Sequence, residues 1–74
     1  SIDTAKKANE QAIANLNQQI NARRRQIAAE QEKKDSDADQ IIAWQNEIAD
    51  KQEQIIELQK QQHTEMGGFG TEAN

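Results

Sequence analysis

Isoleucine returns at every seventh residue along most of this chain, and that period decides what the chain can fold into. With Ile13 at heptad position a, the a row reads Lys6, Ile13, Ile20, Ile27, Lys34, Ile41, Ile48, Ile55 and Gln62. The d row reads Asn9, Leu16, Arg23, Glu30, Asp37, Trp44, Lys51, Leu58 and Glu65. Six of the nine a residues are Ile, whereas only three of the nine d residues are apolar. A seven-residue apolar period places one face of a helix against another helix. It has no counterpart in a strand, whose side chains alternate with a period of two. Composition agrees. The chain has no Val and no Tyr, one Trp and one Phe, so the residues that favour sheets are scarce apart from Ile.

Residues 1–66 contain neither Gly nor Pro, and Ala, Gln, Glu, Lys and Arg predominate there. All are good helix formers. Asp3 or Thr4 is the expected first cap, with Ile2 before it as a hydrophobic staple. Gly67 and Gly68 are the expected stop. The Gly-rich segment 67–74 is expected to be a flexible tail. The centre is harder to read, because Glu30, Lys34 and Asp37 are three successive core positions and all are charged. Burial of unpaired charge is costly.

Two architectures meet these constraints. The first is an all-α antiparallel helical hairpin of coiled-coil type, one domain over 1–66, with helices at about 4–33 and 37–66. The second is one continuous helix of about 60 residues, roughly 90 Å long at 1.5 Å per residue, in an oligomeric coiled coil. The hairpin is favoured. Lys33 and Lys34 precede Asp35, Asp37 and Asp39, the order that the helix dipoles prefer at an end followed by a start. Ser36 with Asp39, just ahead of Ile41, reads as a helix N-terminus. A turn centred between Asp35 and Ser36 pairs Ile13 with Leu58, Leu16 with Ile55 and Ile27 with Trp44. It sets Ile20 over Lys51, Arg23 over Ile48 and Glu30 over Ile41. Against the hairpin, the heptad phase runs unbroken from Ile27 to Ile41, and the turn lacks Gly, Asn and Pro.

The net charge is −4, unevenly spread. Residues 1–33 carry a balance of +2 and residues 34–74 a balance of −6. Helices folded back on each other gain from opposite signs. The acidic total argues against general affinity for nucleic acid or for an anionic membrane. The longest apolar run, Ile41-Ile42-Ala43-Trp44, is far short of the ~20 residues of a membrane span. No secretory leader is expected, and an opening Ser fits either loss of an initiator Met or a processed boundary. The expected address is the cytoplasm, or a particle assembled there. Without Cys there is neither a disulfide frame nor a thiolate metal site.

The expected packing seam is Ile13, Leu16, Ile20, Ile27, Ile41, Trp44, Ile48, Ile55 and Leu58. A second line, Ile42, Ala49 and Ile56, lies one residue beyond the seam isoleucines. It widens the apolar face of the second helix past what one neighbouring helix covers. On the first helix, Ala8, Ala22 and Ala29 share a line small enough for close approach. These features predict self-association or docking on a larger protein, a dimer of hairpins being the simplest closed form. Phe69 in the tail is a candidate docking residue, or it folds back on the last helical turn. Arg24 and Arg25 are candidates for a phosphate contact, but solvated helix-surface charge is the better reading. His63 lacks further ligands at helical spacing, and the better reading is an exposed residue near a helix C-terminus. No catalytic set, metal or cofactor is expected. The lone His has no triad partner, and the carboxylates lie on helix surfaces.

Three functional readings follow. The first is a non-enzymatic structural or interaction module, a coiled-coil component or adaptor of a larger assembly. The Gln- and Asn-rich, Ile-heavy heptads over 9–62 resemble those of bacteriophage structural and assembly proteins, which implies a virion or assembly component. The second comes from the hairpin layout with the acidic turn Asp37-Ala38-Asp39-Gln40. These resemble the Rop family, plasmid-encoded hairpins whose dimers bind paired RNA loops through their helix faces. That resemblance implies a regulatory RNA-binding bundle. The family's cysteine pattern and phenylalanine are absent from the corresponding helices, so it transfers no site residue. The third is a helical inhibitor that sets its acidic second helix against a basic partner.

Overall fold

The computed structural model describes residues 1–66 and contains two helices, α1 (Ile2–Gln31) and α2 (Ala38–Glu65). They pack against each other as an antiparallel hairpin about 55 Å long and 17 by 15 Å across. The continuous-helix alternative is therefore excluded. The tail from 67 to 74, with Phe69, lies outside the described residues.

The heptad rows form the contact. From Lys6 to Glu30 and from Ile41 to Gln62, every a and d residue is buried or half-buried. Ile20 is the apolar centre at 3% exposure, and no large side chain is completely enclosed. Two helices cannot surround a side chain on all sides, so Ile13, Leu16, Ile27, Ile41, Trp44, Ile48, Ile55 and Leu58 remain half-buried. The deepest polar residues, Asn9 and Gln62, close the end of the seam away from the turn. Asn9 Nδ2 donates to the Leu58 carbonyl across the seam at 2.8 Å.

The turn departs from expectation in three ways, each with a physical cause. First, α1 stops at Gln31, two residues early, so the turn is centred between Lys34 and Asp35. The last helical carbonyls are taken up by short i→i−3 bonds, Glu32 N–H to Ala29 O and Lys33 N–H to Glu30 O. Second, Asp37 caps α2 in place of Ser36. Its backbone is extended, and its carboxylate accepts from Gln40 N–H at 3.0 Å. A carboxylate there also faces the positive end of the α2 dipole. Third, Glu30 does not lie over Ile41 as a stranded charge. Its Oε2 accepts from Asp37 N–H at 2.9 Å and its Oε1 from Lys33 Nζ at 3.1 Å. One carboxylate thus ties the end of α1 to the cap of α2, which is how a turn without Gly or Pro is closed. These two donors, the Asp37 amide first, hold the Glu30 carboxyl below its usual pKa.

At the other end of α1, Ser1 takes the capping place expected of Asp3 or Thr4. Its Oγ accepts from Thr4 N–H at 3.2 Å. Ile2 is consequently inside the helix rather than before it, and it is 61% exposed.

Candidate interaction surface

Each helix presents its a and d rows to the other, while residues such as Ala12, Gln40 and Glu47 stand half-buried at the edge and other rows face outward. On α2, Ile42, Ala49 and Ile56 form one such row at seven-residue spacing. At 1.5 Å per residue the row is roughly 21 Å long. Ile42 is 53% exposed and Ile56 48%, and Ala49 between them is exposed too. With Ile2 these are the exposed large apolar residues among those described. A scattered exposed isoleucine is ordinary. Two on one line with alanine midway make an apolar ridge whose members stand roughly 10 Å apart along the helix. Its flanks are polar: Gln45, Asn46, Gln52 and Glu53 lie three or four residues from Ala49 and are exposed. An apolar centre with a polar rim is the general form of a protein contact surface.

The basic cluster divides between two environments. Arg23, at a d position, leaves the seam with its charged end, where Ile48 had been the expected neighbour. Its Nε donates to Glu47 Oε2 at 2.7 Å and its Nη1 to Gln26 Oε1 at 2.7 Å. The guanidinium also stands 5.8 Å from the Trp44 ring centroid, within cation–π range. The stem covers the seam while the charge reaches the edge. The pair is about a third to two-fifths exposed, so it contributes at most about 1 kcal/mol. Sequence reasoning placed Arg23 on the seam but did not find Glu47, because a long side chain contacts residues beside the one it faces. Arg24 and Arg25 are exposed on α1 and form no ion pair with a described residue.

Two open surface depressions accompany these features. One follows α2 along Asp50, Glu53, Gln54, Glu57 and Leu58, and the other lies beside the Arg23–Glu47 pair. The first is lined by three carboxylates, of which Glu57 is held by Lys60 at 3.4 Å. Among the described residues no group of three or more His, Cys, Asp and Glu is placed to hold a metal ion. Nor is any helix there long and apolar enough to cross a membrane. The ridge on α2 thus holds two of the three exposed large apolar residues among those described. Compared with known proteins, this chain matches no family model, no curated protein and no solved structure.

Proposed function

We propose that this chain is a non-enzymatic interaction module, a helical hairpin that acts by presenting the Ile42–Ala49–Ile56 ridge of α2 to another polypeptide within a larger assembly. The observation that supports the reading is the contrast between seam and ridge. Among the described residues the hairpin encloses one apolar residue, Ile20, yet leaves two isoleucines about half exposed on one outward line. Full burial of an isoleucine is worth about 1.5–3 kcal/mol. Roughly half of that is still available at Ile42 and again at Ile56. A small hairpin gains only a few kcal/mol from its own core, so docking at the ridge is a large addition to its stability.

The test is the double variant Ile42→Asp with Ile56→Asp. Both positions face solvent in the hairpin, so far-ultraviolet circular dichroism should still report two helices. Sedimentation velocity should show the wild type as an associated species and the variant as a single chain. An associated variant with unchanged mass would remove the ridge from the contact and the reading with it.

A further inference from the structure

Resting on the reading above, we infer that the occupant of the ridge is a second copy of this chain, packed α2 against α2 in antiparallel orientation about a two-fold axis at Ala49. The ridge is self-complementary in that orientation. Its order is large, small, large at equal spacing, with Ala49 at the midpoint. A two-fold axis there brings Ala49 against the partner's Ala49 and Ile42 against the partner's Ile56. The alanine pair lets the helices approach closely, and the isoleucine pairs close both ends. An isologous contact of this kind uses the same patch twice and leaves no second ridge exposed.

It is the residues flanking the ridge that discriminate between orientations. In an antiparallel pair each flanking row meets its own counterpart from the partner. The row of Asp39, Asn46, Glu53 and Lys60 then places Lys60 beside the partner's Asp39 and Glu53 beside the partner's Asn46. The row of Gln45 and Gln52 places Gln45 beside the partner's Gln52. Opposite charges meet at both ends of the contact, and no like charges meet along it. Parallel α2 helices in the same register would instead set this row against the uncharged Gln45–Gln52 row, leaving Asp39 and Lys60 without a charged counterpart. Asp39 and Lys60 have the freedom to make this contact. Asp39 is exposed, and Lys60 holds only a loose intrahelical contact with Glu57 at 3.4 Å, both side chains being about two-thirds exposed. Charge complementarity of this type sets orientation more than affinity.

The chain contains no Cys, so a single introduced thiol reports proximity without interference. Ala49→Cys, Ile42→Cys and Ile56→Cys are treated separately with diamide and run on a denaturing, non-reducing gel. The solution mass of the untreated wild type is measured alongside. A disulfide requires Cα atoms within about 7 Å. Ala49→Cys should therefore convert to covalent dimer, while Ile42→Cys alone and Ile56→Cys alone should not, their own copies being roughly 21 Å apart along the contact. An equal mixture of Ile42→Cys and Ile56→Cys should crosslink. Efficient crosslinking of Ile42→Cys with itself would overturn the antiparallel arrangement. An associated wild type whose Ala49→Cys variant fails to crosslink would overturn this pairing and leave the interaction module standing. A single-chain wild-type mass would overturn the self-pairing and leave a different polypeptide as the ridge's occupant.

Discussion

Replacement of Ile20 and Ile42 by alanine should have different costs with different dependence on protein concentration. Ile20 is 3% exposed and sits at the centre of the α1–α2 seam. Removing three carbons from such a site typically costs about 2–5 kcal/mol, from lost burial plus the cavity left behind. A pair of helices can close on a cavity more easily than a many-sided core, so the low end, about 2–3 kcal/mol, is expected. For a chain of this size 1 kcal/mol moves the thermal midpoint by about 4–8 °C. Ile20→Ala should therefore melt at least about 10 °C below wild type. Ile42 is 53% exposed, so within one hairpin it realises only about half of its ~1.5–3 kcal/mol. Alanine's better helix propensity recovers a few tenths of that, and the cost in dilute solution falls below about 1 kcal/mol. In concentrated solution the remaining half is buried on both partners, and the cost of Ile42→Ala should rise accordingly. Thermal unfolding followed by circular dichroism, at low and high chain concentration, measures both. The reasoning fails if Ile42→Ala costs the same at every concentration, or if it matches Ile20→Ala in dilute solution.

Three further outcomes are expected. The folded-state pKa of Glu30 is held down by Asp37 N–H and Lys33, so its contribution is fully present above the unfolded value of about 4.3 and is lost as pH falls through the folded one. Glu30→Gln should flatten that acid limb in urea titrations at stepped pH, and an unchanged limb would count against the Glu30 clasp. Asn9 is 5% exposed, and its Oδ1 is buried with no hydrogen-bond partner among the described residues. Asn9→Leu should keep or raise the unfolding midpoint, by up to about 1 kcal/mol, because both amide atoms leave an apolar seam. A clear fall would show that the bond to the Leu58 carbonyl outweighs burial of the amide. Finally, Arg24 and Arg25 are expected to stay solvated. Filter binding of paired RNA loops should detect no affinity at low salt, whereas binding that weakens steeply with salt would support the Rop-like alternative.

The architecture was legible in the sequence because both rows of the heptad keep their meaning in a hairpin. Ile20, Asn9, Glu30 and Gln62, the most buried residues, are all a or d positions. The Ile42–Ala49–Ile56 line could likewise be placed outside the seam by counting. What counting missed lies at the turn and at the long side chains. Periodicity treats Glu30 as a core residue that needs an apolar or oppositely charged neighbour. In the structure its main partner is a backbone amide, Asp37 N–H, and a backbone group leaves no mark on a side-chain pattern. Asp37, the cap in place of Ser36, is the residue whose amide Glu30 holds. Arg23 shows the other limit. Row position places its Cβ, but the guanidinium is several bonds further out and finds Glu47 and Trp44.

The most direct test of the whole account is the solution mass of the unmodified chain, by light scattering from dilute to concentrated solution, with helicity recorded in parallel. We expect a mass that climbs toward two chains, with helix content rising as it does. A fully helical species that keeps the mass of one chain throughout would show that the outer isoleucines of α2 are stable in water, contrary to the account.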